Sequence, residues 1–159
     1  MAGLSLRLRL LVGGLALAVA SCSSPPTTKS EPVPTLRSAL AQVRGSYEWN
    51  DDLKKYVFSE QGAIEKLVDA ASDQTIRDLV NCLDDVSPSR TTLKGQPVPV
   101  GVICHQALSQ IIYYEPTTTN GDLAGQWPGH LEPTATAADL AAAKSAWSDV
   151  VEKKAYKRL

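Results

Sequence analysis

Residues 64–83 read IEKLVDAASDQTIRDLVNCL, and this stretch decides the expected fold. Apolar side chains recur in it at i, i+3, i+4 and i+7, first from Ile64 and then from Ile76. That spacing places them on one face of an α-helix. Ser72-Asp73 separates the two stripes with residues that favour a helix start. The segment therefore predicts two successive amphipathic helices that pack on a common core.

Further helical segments are expected upstream of this pair. Thr35 can cap a short helix that ends near Gly45, because threonine is favourable at a helix N-terminus. Asn50-Asp51-Asp52 is a second cluster typical of helix starts, so we expect another helical segment after it. The apolar residues of these two segments are Leu36, Leu40, Val43, Leu53, Tyr56 and Val57.

Residues 91–100 have a different character. Lys94-Gly95 lies between two short runs rich in Thr, Val and Pro, which predicts a small β-hairpin or an ordered loop. Pro97 and Pro99 lack a backbone N–H and would confine any strand here to the edge of a sheet.

Two more helical stripes follow this loop. The first carries Cys104, Leu108, Ile111 and Ile112. The second begins at Thr136, a candidate cap, and keeps a long apolar face at helical spacing. The core residues expected on that last helix are Leu140, Ala143, Trp147, Val150 and Val151.

The helix pair around residues 79–85 and 104–108 resembles a HEAT-type helical hairpin. Residues 79–85 read LVNCLDD, an apolar helix end with an acidic turn, and residues 104–108 read CHQAL, with a central Ala-Leu. The resemblance implies helix-on-helix packing. The expected fold class is therefore mainly α, a small helical bundle or HEAT-like packing of four to five helices with one short hairpin or ordered loop near residues 91–100.

The N-terminus carries a secretion signal. Arg7 and Arg9 precede an apolar run that is too short to span a bilayer, since a span needs about 20 residues. The run ends in Val19-Ala20-Ser21-Cys22, which resembles the lipobox of bacterial lipoproteins. The resemblance implies that residues 1–21 are cleaved and that Cys22 carries the lipid. The alternative is an ordinary secretory signal with a cysteine at its exit.

The rest of the chain divides into a tether and a domain. Residues 22–34 are rich in Ser, Thr and Pro, which predicts an extended linker after the acylated cysteine. Residues 35–159 suit a single α-rich globular domain. The lipobox resemblance implies a lipid anchor in a bacterial cell envelope. Because Ser23 rather than an aspartate follows Cys22, the periplasmic face of the outer membrane is favoured in an organism with two membranes.

Cys82 and Cys104 are the two cysteines that remain once Cys22 is acylated. Export favours a disulfide between them, and two helices packed face to face can bring their Cα atoms close enough. Two buried, reduced core cysteines are the alternative.

We expect no nucleic-acid partner, because the charge of the chain is too mild to indicate one. The formal net charge is −1, and loss of Arg7 and Arg9 with the signal makes it −3. So mild a charge does not match a polyanion or a strongly acidic ligand.

No motif in the sequence indicates catalysis, a metal site or a cofactor. Cys104 and His105 are adjacent, but neighbouring helical positions project about 100° apart and do not share a face. Asp51-Asp52 and Asp84-Asp85 lack the alternating spacing of a calcium loop. We therefore expect no catalytic residue, no metal and no cofactor, although enzyme activity stays open.

Aromatic residues near a Gly-rich segment are the best candidates for a binding surface. Tyr113, Tyr114, Trp127 and His130 form this candidate surface, and Trp49 is a further candidate. The alternative for Trp127 is that it folds back on the core. The expected function is a non-catalytic interaction or structural module that meets an envelope protein or a cell-wall component. The alternative is an envelope hydrolase of cell-wall material whose catalytic residues are scattered along the chain.

Overall fold

The computed structural model of the protein describes residues 35–114 and 130–159. Helices and strands are interspersed along the chain. The helices are α1 (Leu36–Ala41), α2 (Gln61–Val68), α3 (Asp73–Cys82), α4 (Val100–Leu108) and α5 (Ala137–Glu152). The strands are β1 (Gly45–Asn50), β2 (Lys55–Phe58), β3 (Pro88–Leu93), β4 (Gln96–Pro99), β5 (Ile112–Tyr114) and β6 (Tyr156–Arg158).

Two β-sheets are present in these ranges. The larger sheet has the strand order β2-β1-β3-β4, and the smaller sheet pairs β5 with β6. Strands β1 and β3 run parallel, with Gly45 opposite Thr91, while the other pairs are antiparallel. A parallel pair needs a crossover connection, and here β2, α2 and α3 lie between the two strands in the chain.

The predicted mainly α fold, including its HEAT-like packing, is wrong: the protein has a mixed α/β fold. The first reason lies at Asn50-Asp51-Asp52, which forms the turn of a β-hairpin and does not start a helix. The Asn50 side chain accepts a hydrogen bond from the backbone N–H of Leu53 at 2.8 Å. Asn and Asp bond nearby backbone groups in turns as readily as in helix caps, so the cluster is ambiguous from sequence.

The second reason is the hairpin of β3 and β4. The sequence predicts only a small β-hairpin or an ordered loop here, but β3 and β4 form half of the four-stranded sheet. The turn at Lys94-Gly95 is confirmed, with both residues at positive φ. Strand β4 lies at the edge of the sheet, as Pro97 and Pro99 predict. Helices α3 and α4 do pack against each other, but within a mixed α/β fold and not in a HEAT-like helical bundle.

Most of the predicted helix starts are confirmed. The Thr35 side chain caps α1, and capping boxes begin α3 at Ser72 and α5 at Thr136. In a capping box, side chain and backbone satisfy each other's hydrogen bonds, and these bonds are local in sequence. These starts were accessible to sequence reasoning for that reason.

The disulfide between Cys82 and Cys104 is confirmed. It joins the end of α3 to the middle of α4, with the two Cα atoms 6.0 Å apart. Both cysteines are buried in the core cluster. Gly101 allows the close approach of α4 to the end of α3, because a Cβ atom there would collide with the backbone oxygen of Leu83.

One face of the large sheet packs on the core and the other faces solvent. Side chains alternate between the two faces of a strand. Tyr47, Phe58, Thr91 and Val98 point inward and are buried. Glu48 points to the opposite, exposed face. None of the helices in residues 35–114 and 130–159 combines the length and the apolar character needed to cross a membrane.

Candidate functional site

A cleft of about 310 Å³ opens beside strand β2. Its walls are β2, helix α4 and the segment 130–133. We call it the His105 cleft. Its lining residues are Tyr47, Lys55, Tyr56, Val57, Phe58, Gln61, Val102, His105, Gln106, Ser109, His130, Leu131, Glu132 and Pro133.

His105 is the buried polar group of this cleft. It lies on α4 among apolar neighbours and is only 7% exposed. Its Nε2 atom is buried and makes no hydrogen bond within the described residues. Burial, and next the charge of His130, lower the pKa of His105 to about 4. At neutral pH the imidazole is uncharged, so it carries one N–H donor and one nitrogen acceptor.

His130 and Glu132 lie at the rim of the same cleft. The His130 Nε2 and the Glu132 Oε1 are 2.9 Å apart, and both side chains are largely exposed. The His130 and His105 rings meet edge to face with their centroids 5.9 Å apart. Burial, and next the charge of Glu132, raise the pKa of Tyr47 far above its ordinary value, so that its phenol stays neutral.

An aromatic platform adjoins the cleft along the sheet. We define the Trp49 platform as the side chains of Trp49, Tyr56 and Leu93, which line a shallow hollow of about 570 Å³. Register puts these residues on the same sheet face as buried Tyr47. Trp49 is nevertheless 51% exposed. Tyr47 and Tyr56 line both the hollow and the His105 cleft, so the two lie side by side.

The orientation of Trp49 is fixed by two contacts. Its ring packs edge to face against Tyr56, with centroids 5.3 Å apart and ring planes 75° apart. Its Nε1–H donates to the Asp51 Oδ1 at 3.0 Å. The indole is therefore held in place although half of its surface is open to solvent.

The predicted binding residues are only partly brought together. His130 lines the His105 cleft. Tyr113 and Tyr114 lie on β5, half-buried and paired with β6, and do not line the cleft. Trp127 lies outside the described residues, as do the expected lipidation site Cys22 and the tether.

His105 is a residue of the candidate site that the sequence patterns do not single out. Its only apparent partner in the sequence is the adjacent Cys104, and the Cys104 sulfur is in the disulfide and cannot be a nucleophile. The available signal was a histidine in the helix VGVICHQAL, in which nearly every other residue is apolar. A polar side chain that is buried by such a helix needs a partner or a cleft.

No serine, threonine or cysteine side chain in residues 35–114 and 130–159 is hydrogen-bonded to the ring of His105 or His130. No cluster of His, Cys, Asp and Glu suited to a metal ion occurs in the same ranges.

The acidic pair Asp84-Asp85 forms salt bridges with basic side chains. Asp84 binds Lys144 at 2.9 Å and Asp85 binds Arg37 at 2.6 Å. These carboxylates therefore join elements of the fold and do not line the His105 cleft.

No protein-family model matches this chain, and no curated protein or solved structure is detectably similar to it. What the cleft can bind is therefore inferred from its own residues.

Proposed function

We propose that this protein is a lipid-anchored lipoprotein of the bacterial cell envelope. Its folded domain is a non-catalytic interaction module that binds an envelope protein or a cell-wall component in the His105 cleft. The observation that carries the binding role is an open cleft of about 310 Å³ between β2, α4 and the segment 130–133, with the polar side chains of His130 and Glu132 at its rim. A concave cleft with a few polar groups among apolar ones is the usual form of a binding site.

The Trp49 platform supports the same role. A large aromatic side chain held rigidly at the surface gives contact area with little loss of conformational entropy on binding. Trp49 is held by Tyr56 and Asp51 before any ligand arrives. The alternative of an envelope hydrolase has less support, because the pair of His130 and Glu132 has no hydroxyl or thiol nucleophile bonded to it among the described residues.

The anchor is inferred from the lipobox resemblance of residues 19–22. Each buried methylene of an acyl chain contributes about 0.8 kcal/mol, and stable anchoring takes two signals. A diacylglycerol with a further acyl chain on Cys22 would exceed that requirement. In an organism with two membranes, Ser23 favours the periplasmic face of the outer membrane.

The anchor is tested by replacing its cysteine. Full-length protein with Cys22→Ala should leave the membrane fraction and lose a metabolically incorporated palmitate label. The variant Cys82→Ala is the control, because it removes a cysteine outside the lipobox and should stay in the membrane fraction. Unchanged membrane association and labelling of the Cys22 variant would contradict the anchor.

The binding role is tested by crosslinking and recovery of the acylated protein from detergent-solubilised envelopes. Envelope material should be recovered with the wild type and much less with Trp49→Ala or His105→Gln. Val86→Ala is a matched control, since Val86 is also exposed but lies outside the cleft and the platform. Equal recovery with all four proteins would exclude the His105 cleft as the binding site.

A further inference from the structure

Segment 130–133 forms one wall of the His105 cleft, opposite helix α4. Its residues Leu131 and Pro133 are buried, and the ring of His130 meets the ring of His105 edge to face. We infer that this segment is an acid-released wall, which leaves α4 when His105 is protonated while the rest of the domain stays folded. The inference goes beyond the proposed binding role and does not depend on what the cleft binds.

With the wall in place, His105 has no partner for a positive charge. Its ring lies between the ring of His130, with centroids 5.9 Å apart, and the ring of Trp147, with centroids 6.4 Å apart. Its Nε2 atom is buried and has no hydrogen-bond partner among the described residues. Protonation makes both ring nitrogens donors, and a buried charged donor without an acceptor is costly. The closed wall therefore requires a neutral imidazole.

The groups around His105 do not compensate for such a charge. The titratable and charged side chains that line the cleft with it are Tyr47 of β1, Lys55 of β2, and His130 and Glu132 of the segment. Helix α2 contributes the neutral Gln61, and helix α5 contributes the neutral ring of Trp147. The Glu132 carboxylate is paired with His130 at 2.9 Å. Burial, and next the charge of His130, lower the pKa of His105 to about 4.

Segment 130–133 is the neighbour of His105 that can leave at the lowest cost. Within the described residues its backbone makes one hydrogen bond, from the Ala135 N–H to the Glu132 oxygen, and this bond lies inside its own turn. Its side-chain bond joins His130 to Glu132 and is internal as well. The other walls are a paired strand and helices. The segment can therefore move without breaking a strand ladder or a helix.

The direction of the pH effect follows from the two states of the wall. In the closed state the pKa of His105 is about 4, and in the open state water reaches the imidazole and its pKa returns toward the ordinary value of 6.5. Between these values the open state binds more protons, so opening becomes more favourable as the pH falls. From pH 7 to pH 4.5 the opening equilibrium should shift by about 50-fold.

Thiol labelling of the full-length protein measures how often the wall opens. Val102 lines the cleft and is 2% exposed, so a thiol introduced by Val102→Cys reacts mainly when the wall is open. Reaction with 4,4′-dithiodipyridine, which also labels thiols in acid, is read at this position by peptide mass and divided by the rate at the exposed Thr134→Cys. This ratio should rise about 50-fold from pH 7 to pH 4.5 and fall again when the pH is restored.

Three further variants locate the opening. Leu131→Cys places a buried thiol on the wall itself and should show a similar rise. In Val102→Cys/His105→Gln the ratio should be nearly independent of pH, because glutamine cannot be protonated. Val68→Cys is the matched control, since Val68 is equally buried on α2 but lines a different hollow, and it should react more slowly than Val102→Cys at both pH values. Circular dichroism checks that each variant remains folded.

Three results would overturn the inference. The first is an unchanged ratio in folded Val102→Cys or Leu131→Cys, and the second is the same rise when His105→Gln is also present. The third is equal labelling of Val68→Cys, because the whole domain would then unfold and not the wall alone. None of these results concerns binding in the cleft at neutral pH, which the recovery of envelope material tests separately.

Discussion

His105 shows how burial changes the chemistry of a single side chain. The imidazole is placed in the core by an apolar helix, between the cleft and the ring of Trp147. Burial therefore disfavours the charged form, and the pKa falls to about 4. His130, Glu132 and Tyr47 line the same cleft, and none of them makes a hydrogen bond to the His105 Nε2.

The stability of the protein should therefore depend on pH through His105. The pKa of His105 is about 4 in the folded protein and near the ordinary histidine value of 6.5 in the unfolded chain. Between these values the unfolded state binds more protons, so the free energy of unfolding decreases as the pH falls. The contribution is present above pH 6.5 and amounts to about 3 kcal/mol, all of it lost by about pH 4.

Urea unfolding at pH 7 and pH 4.5 measures this effect. The decrease should be smaller in His105→Gln, which cannot be protonated. His130→Gln is the control and should keep most of the decrease, because burial is the main cause of the shift and the charge of His130 the lesser one. The same pH dependence in wild type and His105→Gln would refute the role of His105.

At the scale of elements, the stability of the fold depends on its turns and on the contacts between helices and strands. The hairpin of β3 and β4 depends on Gly95, whose φ of +80° is costly for residues with a Cβ atom. Gly62 lies in α2 with nothing near the place of a Cβ atom. One glycine is thus required by its turn, whereas the other weakens its helix.

Replacing these two glycines with alanine should have opposite effects. Gly95→Ala should lower the free energy of unfolding by about 1 kcal/mol, because alanine is strained at positive φ. Gly62→Ala should raise it by about 0.5 kcal/mol through helix propensity. Denaturant midpoints measure both, and a shift in the same direction for the two variants would contradict this account.

Asp85 connects helices α1 and α4 to the loop that precedes strand β3. Its carboxylate binds Arg37 of α1 at 2.6 Å and accepts hydrogen bonds from Ser87, and its backbone oxygen accepts from Gly101 of α4. Burial alone would raise the pKa of the Asp85 carboxyl, but the hydrogen bonds from Arg37 and Ser87 outweigh it and hold the pKa below the ordinary value. Its stabilising contribution is thus present above pH 4 and is lost in more acidic solution.

Removal of the Asp85 carboxylate should destabilise the contact between α1, α4 and the loop before β3. Asp85→Ala removes the buried carboxylate that accepts the hydrogen bonds of Arg37 and Ser87, and should lower the free energy of unfolding by about 1–2 kcal/mol, because those two partners are exposed and can bond to water instead. Asp149→Ala is the matched control, because Asp149 pairs with Lys153 where both side chains are exposed, and such pairs contribute little. Thermal melting compares the two, and an equal effect would contradict the structural role of Asp85.

At the scale of the whole molecule, the disulfide of Cys82 and Cys104 ties two helices on either side of the β3–β4 hairpin. The bond closes a loop with a sequence separation of 22. In the chain-entropy model a loop of this length stabilises the folded state by about 3 kcal/mol. That is a large part of the stability of a domain, which is about 5–15 kcal/mol.

The double variant Cys82→Ala/Cys104→Ala should unfold at a lower urea concentration than the oxidised wild type. Reduction of the wild type should give a similar loss, because it opens the same loop. Membrane association should not change, since Cys22 is a separate cysteine. An unchanged midpoint in the variant would show that the bond adds nothing to stability.

Local chemistry determined several features of this protein from the sequence alone. The periodic stripes of α2, α3 and α5, the caps at Ser72 and Thr136, and the turn at Lys94-Gly95 depend on residues close in the chain. The disulfide followed from the count of cysteines and the faces of two helices. These features need no knowledge of distant partners.

The tertiary structure alone decided the sheet and the candidate site. Tyr47 and Trp49 alternate with polar residues, but the segment is too short for this alternation to identify a strand. The segment is recognised as strand β1 only from its pairing with β2 and with β3, which is distant in the chain. Strand pairing joins residues that are far apart in sequence, so its stability cannot be predicted from a local sequence pattern. The candidate site follows from that pairing, because the sheet places Tyr47 and Tyr56 beside His105 of α4 and His130 at the rim, with Trp49 next to Tyr56.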